Sequence, residues 1–82
     1  SKGGQTSTVV DAKVVFTAAL KMKASYIVLS HSHPSGNTNP SLADIQLTKK
    51  LVEGAKLLDL KVIDHLIVTP YSYYSFADER KI

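Results

Sequence analysis

Residues 30–44 read SHSHPSGNTNPSLAD, and the pattern of hydrophobic residues changes across this stretch. Upstream, the run YIVL starting at Tyr26 is β-branched and aromatic and apolar on both faces, which predicts a central buried strand over residues 25–30. Downstream, apolar residues recur at helical spacing and predict a helix over residues 42–58. Residues 33–41 are rich in Pro, Ser, Gly and Asn and indicate an ordered loop between the strand and the helix.

Three further elements are predicted around this central unit. Asp11 can cap a helix over residues 12–23. Residues 61–69 hold an apolar run around a polar Asp-His pair and predict a strand, and a last short strand is expected over 73–76. The order of elements predicts a layered α/β domain with a mixed sheet flanked by helices. The segment TSTVV at residues 6–10 suggests further strands upstream.

Composition limits the function classes that remain open. The 82 residues fit one small domain, 1–82, and the absence of cysteine excludes disulfides and thiolate zinc sites. Any metal must therefore be bound by His, Asp or Glu. No apolar stretch approaches the roughly 20 residues of a membrane span, so no membrane contact and a cytoplasmic location are expected. The net charge of +3 comes from scattered lysines, which is a weak signal for nucleic acid. Lys49, Glu53 and Lys56 form an alternating stripe on the second helix, typical of a face in contact with water.

Two histidines and an aspartate carry the strongest chemical signal. In an extended segment, side chains two apart share a face, so His31 and His33 can point at one ion from the end of the strand. Asp44 lies in the first turn of the next helix, and the intervening loop can bring it to the same point. Two imidazoles, one carboxylate and an open fourth position form the pattern of a catalytic zinc site.

Each part of this motif also has a purely structural interpretation. A His-x-His pair by itself is usually packed or exposed without a metal. Ser41-x-x-Asp44 by itself is a capping box, in which the Ser41 hydroxyl bonds the amide of Asp44 and the carboxylate reaches back. Capping suits a Ser41 hydroxyl that holds a water or an oxyanion beside a metal. For Asp44 the capping and metal-ligand interpretations conflict, because a carboxylate that coordinates a metal is less free to complete the capping box.

The combined spacing His-x-His-x(7)-Ser-x-x-Asp resembles the signature of the JAMM (MPN+) metalloprotease family. The segments HSHPSG, NPS, DIQLT and DHLIV, together with Ser75 and Phe76, are similar to the bacterial RadC group, and the resemblance spans residues 8–76. It implies a JAMM/MPN core, similar to that of cytidine deaminases, without its N-terminal strands. It also implies a RadC-like zinc metallohydrolase, a metallopeptidase that cleaves a peptide or isopeptide bond of an unidentified protein. In that family pattern His31, His33 and Asp44 bind Zn²⁺, and Ser41 steadies the developing oxyanion.

The family's general base, a glutamate on a strand upstream of the first helix, has no counterpart in this sequence. The two glutamates, Glu53 and Glu79, both lie downstream of the motif. Glu53 is nine positions beyond Asp44, which places it roughly 13 Å along the helix at 1.5 Å per residue. Glu79 is expected at the surface. Either this chain is the C-terminal part of a longer protein that carries the base, or another chain supplies it. We favour the longer protein, because the family's first strands are missing along with the glutamate.

Four other polar or aromatic residues receive structural interpretations. His65, beside Asp64, is interpreted as a core histidine with a satisfied hydrogen bond and not as a metal ligand. Tyr71, Tyr73 and Tyr74 are interpreted as packing on a face of the sheet, although aromatic platforms can also bind single strands.

The main alternative is a binding module for DNA or protein, associated with DNA repair, in which the His and Asp cluster is structural or vestigial. DNA binding by such a module would weaken steeply with salt. A zinc deaminase is disfavoured because its Pro-Cys-x-x-Cys ligands are absent. His and carboxylate ligands also admit iron, cobalt or nickel. Exposed strand edges favour homodimerisation by strand pairing.

Overall fold

The computed structural model describes residues 11–82, and within them the chain forms two helices and three strands in the predicted order. Residues 6–10, predicted to indicate an upstream strand, lie outside the described residues. The bounds are α1 Ala12–Lys21, β1 Tyr26–Ser32, α2 Leu42–Leu57, β2 Lys61–Val68 and β3 Tyr73–Ser75. The α/β class is confirmed, and each element agrees with its predicted range to within two residues.

The three strands form a mixed sheet in the order β1-β2-β3. β1 and β2 are parallel and are joined through α2, whereas β2 and β3 are antiparallel. β1 continues beyond its predicted end because His31 and Ser32 pair with Ile67 and Val68 of β2. Among the described residues β1 is an edge strand. Dimerisation through such an edge stays a prediction.

Side-chain caps set the beginnings of both helices. The Asp11 carboxylate accepts the amide of Val14 at 3.0 Å, as predicted for the start of α1. α1 ends two residues earlier than predicted because Lys23 adopts a left-handed conformation with φ 53°, which closes the helix. The loop leading into α2 also requires such a conformation at Gly36, whose φ of 89° favours glycine.

The core lies between the two helices and one face of the sheet. Gly54 of α2 allows α1 to approach closely, since a Cβ at this position would lie 2.8 Å from Cε2 of Phe16. The buried apolar residues of this core are Ala19, Ile27, Leu51, Ala55, Leu60 and Val62. The helices therefore cover the face of the sheet that carries Ile27 and Val62.

The prediction that β1 is buried on both faces is wrong for the described residues. Ile27 is buried beneath the helices, but Tyr26 and Val28 on the opposite face are 66% and 57% exposed. The physical reason is that both helices pack on the same side, and no element within residues 11–82 covers the other side. An apolar run indicates that both faces tolerate burial, but it does not supply a second covering layer.

A bulge in β2 determines which of its side chains face the helices. Ile27 pairs with Val62 and Val28 pairs with Asp64, so Ile63 is left without a partner. An extra residue in one strand reverses the alternation of faces beyond it. Val62 and His65 are consequently both buried, although they are three positions apart. The bulge thus brings His65 onto the side that carries α2.

The sequence predicted an exposed charged stripe on α2, packed tyrosines and no membrane-spanning segment. The charged stripe of α2 is exposed as predicted, and Lys56 Nζ lies 3.7 Å from Glu53 Oε2. Tyr74 packs edge-on against Phe76, but Tyr71 and Tyr73 are 88% and 62% exposed, so the packing prediction is wrong for those two. No helix or strand within residues 11–82 covers these two rings. Within residues 11–82, neither helix combines the length and hydropathy needed to cross a membrane.

Candidate metal centre

Three elements position the predicted ligands at one end of the sheet. His31 is the sixth residue of β1 and lies on the face covered by α2, in line with Ile27 and Leu29. His33 follows the end of that strand, where its amide donates to the carbonyl of Val68. Asp44 occupies the first turn of α2. The loop between His33 and α2 therefore returns to the strand it left, as the sequence predicted.

The three side chains converge to within metal-binding distance. His31 Nε2 lies 3.1 Å from His33 Nε2 and 3.1 Å from Asp44 Oδ1. His33 Nε2 lies 3.4 Å from Asp44 Oδ2. Among the described residues, these three are the group whose ligand atoms all lie within 4.8 Å of one another. His65 does not belong to this group.

Ser41 and Asp44 form the predicted capping box, and the carboxylate still faces both histidines. Ser41 Oγ accepts the amide of Asp44 at 3.1 Å, and Asp44 Oδ2 accepts the amide of Ser41 at 2.8 Å. Oδ1 takes no part in the box and is the oxygen nearest His31. The expected conflict between capping and metal binding does not arise, because the two oxygens divide the roles.

The environment of Asp44 favours its charged form. Desolvation by burial is the largest influence and raises the pKa of the carboxyl. Hydrogen bonds from the amide and side chain of Ser41, together with the charges of His31 and His33, outweigh it. The pKa of Asp44 is therefore lowered from its ordinary value, and an ionised carboxylate is the form that binds a metal.

A backbone carbonyl orients the ring of His33. Its Nδ1 lies 2.9 Å from the carbonyl oxygen of Asn37 in the loop. Since a carbonyl can only accept, Nδ1 carries the proton, and Nε2 of the neutral ring has a free lone pair. This lone pair is on the nitrogen that faces His31 and Asp44. Backbone support of this kind is usual behind histidine ligands of metals.

His31 is supported by a second histidine instead of a carbonyl. Its Nδ1 lies 3.0 Å from Nε2 of His65, which is 1% exposed. The other ring nitrogen of His65 lies 2.5 Å from Oγ1 of Thr48, and the ring stacks on Phe76 with centroids 4.7 Å apart. Burial is the main reason that the pKa of His65 is lowered, and repulsion from His31 adds to it.

The hydrogen-bond partners of the His65 ring differ from the neighbour named in the sequence analysis, Asp64. His65 is buried and hydrogen-bonded as predicted, but its ring contacts Thr48 and His31, whereas the Asp64 carboxylate accepts the backbone amide of His65. Thr48 was missed altogether. The available signal was its place four residues after Asp44, where a helix presents both on one face, in line with the buried Leu51 and Ala55.

The chemistry and spacing of the three ligand atoms fit a zinc ion. Zinc bonds of about 2.0–2.1 Å in tetrahedral geometry separate neighbouring ligand atoms by about 3.3 Å. His31 Nε2 lies 3.1 Å from both His33 Nε2 and Asp44 Oδ1, close to that value, and His33 Nε2 lies 3.4 Å from the other carboxylate oxygen, Oδ2. Two imidazoles and a carboxylate also leave one tetrahedral position unfilled, the pattern of catalytic and not of structural zinc sites.

Comparison with known proteins identifies the family. The RadC-like JAB domain matches the chain over residues 1–81. This chain belongs to the RadC-like JAB domain family. The RadC-like domain is 51% identical over 79 residues to a UPF0758 protein of Flavobacterium johnsoniae, and 44% identical over 80 residues to one of Porphyromonas gingivalis. A UPF0758 protein of Alkaliphilus metalliredigens is 43% identical over 79 residues.

The RadC-like domain is much shorter than these relatives. Each match covers 96% of the chain but 34% or 35% of the relative. The chain thus spans about a third of the length of the curated relatives it matches. Its RadC resemblance, first inferred from the motif spacing, is confirmed by these findings.

Neither glutamate of the RadC-like domain contributes to the cluster. Glu53 is exposed on α2 beside Lys56, and Glu79 is exposed near the C-terminus. A cleft of about 360 Å³ lies on the other side of Thr48. None of His31, His33 and Asp44 lines it, so the cleft is not part of the cluster. Its lining residues are Pro40, Ile45, Thr48, Lys49, Val52, Glu53, Tyr74, Phe76, Lys81 and Ile82.

Proposed function

We propose that the RadC-like domain binds Zn²⁺ through His31, His33 and Asp44, and that the whole protein uses this site to hydrolyse a peptide or isopeptide bond of a protein substrate. The observation that carries the proposal is the convergence of two imidazole nitrogens and one carboxylate, with separations of 3.1–3.4 Å between facing atoms. Membership of the RadC-like JAB domain family supports the same chemistry.

The charges at the site favour a divalent cation. The lowered pKa of Asp44 keeps a negative charge at the cluster, and His33 directs a lone pair toward it. Electronegative atoms about 3 Å apart repel one another unless a cation or a proton lies between them. The His31 side chain is 36% exposed, which leaves a side of the cluster open to solvent for water and substrate.

The bound zinc would supply Lewis acidity, lowering the pKa of a water and polarising the carbonyl to be attacked. Ser41 contributes a hydroxyl whose position is held by the amide of Asp44. Because Oγ accepts that amide, the hydroxyl proton can turn from the Asp44 carboxylate toward an oxyanion beside the metal. Ser41 is thus assigned the oxyanion role, and the three ligands are assigned to metal binding.

Proton transfer requires a further group, and within residues 11–82 no glutamate lies at the cluster. Asp44 is used as a ligand, and both glutamates are exposed away from the cluster. The curated relatives extend well beyond the region that this chain matches, and we assign the general base to that further part. On this basis the 82-residue chain binds zinc, and hydrolysis needs the longer protein.

Two measurements test the proposal. Zinc content of the purified 82-residue chain is measured by mass spectrometry after zinc loading and dialysis, beside Asp44→Asn. The matched control is Asp59→Asn, which makes the same change just beyond the other end of α2. Hydrolysis is measured with the full-length Flavobacterium johnsoniae relative on libraries of linear and of isopeptide-linked peptides, after chelation and after zinc is restored.

One zinc per chain in the wild type and in Asp59→Asn, with loss in Asp44→Asn, is the expected binding result. Cleavage that disappears on chelation and returns with zinc is the expected activity. Absence of zinc from the wild-type chain would overturn the metal site. Zinc binding without any cleavage would overturn the hydrolase assignment, and salt-sensitive DNA binding by the same relative would then favour the binding-module alternative.

A further inference from the structure

We propose that Thr48 is a positioning residue that acts through His65 to hold His31 in the tautomer able to bind metal. The inference rests on the proposed zinc site, and it concerns hydrogen bonds that the chain makes without metal. It assigns a role to two residues outside the ligand set. The connection runs from Thr48 on α2, through His65 on β2, to His31 on β1.

The backbone carbonyl of Asp44 determines which groups donate and which accept in this series of hydrogen bonds. Thr48 Oγ1 lies 2.8 Å from that carbonyl oxygen, which can only accept a hydrogen bond. The single hydroxyl proton of Thr48 is therefore used there. Toward the 2.5 Å contact with His65 Nδ1, the threonine oxygen can then only accept. Nδ1 of His65 must accordingly carry a proton.

The tautomer of His65 then dictates that of His31. The ring of His65 is 1% exposed and has no carboxylate bonded to it, so it is held neutral, with its one proton on Nδ1. Its Nε2 is consequently an acceptor for His31 Nδ1 at 3.0 Å. A neutral His31 with its proton on Nδ1 has a lone pair on Nε2, the atom that faces His33 and Asp44.

Hydrogen bonds donated in the reverse direction, from Thr48 toward His31, would leave His31 without a lone pair for zinc. If Thr48 donated to His65, the proton of His65 would lie on Nε2 and would be donated to His31 Nδ1. His31 would then carry its own proton on Nε2, pointing at Asp44 Oδ1 3.1 Å away. That hydrogen bond would satisfy the carboxylate and remove the lone pair needed for zinc. Thr48 thus distinguishes a binding-competent arrangement from an incompetent one.

Asp44 takes part in this arrangement through both its backbone carbonyl and its side chain. Its carbonyl receives the Thr48 hydroxyl, while its carboxylate is the proposed ligand beside His31. The first turn of α2 therefore places a ligand and directs the tautomer of another. The tautomer of His33 does not depend on Thr48, because the Asn37 carbonyl accepts directly from Nδ1 of His33. This difference between the two ligand histidines provides an internal control.

The test reads the tautomers in the metal-free chain by ¹⁵N NMR of the imidazole nitrogens at pH 7.5. In the wild type, Nδ1 of His31, of His33 and of His65 is expected to carry a proton. A further proton shared in the metal-free chain among His31 Nε2, His33 Nε2 and the Asp44 carboxylate leaves these Nδ1 protons in place. Thr48→Val keeps the shape but removes the hydroxyl. We expect Nδ1 of His31 and of His65 to lose its proton, while Nδ1 of His33 keeps its proton.

Zinc affinity of the same proteins, measured by competition with a chelating dye, supplies a second readout. Loss of a residue that orients a metal ligand typically lowers affinity 10- to 100-fold, and we expect this range for Thr48→Val. Thr48→Ser keeps the hydroxyl and should stay within a few-fold of the wild type. His65→Gln can still accept from His31 and should bind more tightly than His65→Leu.

Failure of this inference and failure of the zinc site give different results. A wild-type His31 without a proton on Nδ1 would overturn the inference without any variant being needed. Unchanged tautomers and unchanged zinc affinity in Thr48→Val would also overturn it. The predicted tautomers in a chain that binds no zinc would uphold the hydrogen-bond direction and overturn the proposed function.

Discussion

His31 Nδ1 lies 3.0 Å from His65 Nε2 across two neighbouring parallel strands, although the two residues are 34 positions apart in sequence. Leu29 is the residue paired with His65, so the two histidines are diagonal neighbours on the face covered by α2. One is a predicted metal ligand and the other is completely buried. The cluster is therefore anchored in the core of the domain and not only in its loop.

Zinc should raise the free energy of unfolding of the chain. At a free zinc concentration about 100 times the Kd, the increase is about 2.7 kcal/mol, measured by denaturant unfolding at pH 7.5. Protons compete with the metal for imidazole, which ordinarily titrates near 6.5, so the increase should vanish as the pH falls below that value. An increase that stays the same at pH 5.5 would contradict binding through histidine.

Ser41 and Asp44 share a capping box but should differ in their effects. Ser41→Ala removes the N-cap of α2, so we expect a loss of about 1 kcal/mol in unfolding free energy with zinc affinity kept within a few-fold. Asp44→Asn retains an oxygen for the Ser41 amide but loses the charge, so we expect zinc affinity to fall at least tenfold. Calorimetric zinc titration and denaturant unfolding of both variants check this, and equal effects on zinc affinity would contradict it.

Asp64 should contribute to acid denaturation. Burial, the largest influence, raises the pKa of its carboxyl, but hydrogen bonds from Ser75, Ala77 and His65 outweigh it, and the pKa is lowered. A folded-state pKa below the unfolded value of about 3.9 stabilises the fold above that pH, and this stabilisation is lost as pH falls through the folded-state pKa. Asp64→Asn should therefore flatten the dependence of Tm on pH between about 5 and 2.

The partner variant for that measurement is Ser75→Ala. It keeps the carboxyl but removes the hydroxyl that donates to Asp64 Oδ2 at 2.6 Å. The acid-side slope of Tm should then fall between those of the wild type and Asp64→Asn. Identical slopes in all three proteins would show that Asp64 does not carry this effect.

Gly54 should resist substitution because of Phe16. A Cβ at this position would meet Cε2 and Cζ of Phe16 at 2.8 and 2.9 Å, which forces the ring to move. Overpacking typically costs about 1–3 kcal/mol, while alanine in a helix gains about 1 kcal/mol over glycine. We expect Gly54→Ala to lower the unfolding free energy by about 1 kcal/mol in denaturant unfolding.

The same change should become favourable once the contact is removed. In a Phe16→Leu background, Gly54→Ala should raise the unfolding free energy by up to about 1 kcal/mol, since the helix propensity then acts without the clash. Stabilisation by Gly54→Ala in both backgrounds would contradict the close approach of the two helices.

The order and bounds of the elements could be predicted because each depends on neighbouring residues. Asp11 and Ser41 begin their helices through local hydrogen bonds, and both caps are present. The early end of α1 was not predicted, because lysine at position 23 gives no signal for the left-handed conformation that it adopts. The burial of β1 was overestimated, since an apolar run does not reveal how many layers cover it.

The ligand cluster was accessible to prediction for a similar reason. His31 and His33 share a face through the period of a strand, and Asp44 follows from the start of a helix after a loop of turn residues. The hydrogen bonds that hold His31 from its other side could not be predicted from sequence spacing. Thr48 and His65 lie on different elements, and nothing in their spacing predicts the contact between them.

The sequence by itself determined the family, the order of helices and strands, and the three candidate ligands, because each depends on spacing within one continuous segment. Only the tertiary structure decided which side chains stand behind those ligands. The bulge at Ile63 reverses the alternation of β2, so that His65 faces α2 and reaches both Thr48 and His31. Strand register and bulges arise from pairing between distant segments, and a single strand's pattern does not specify them.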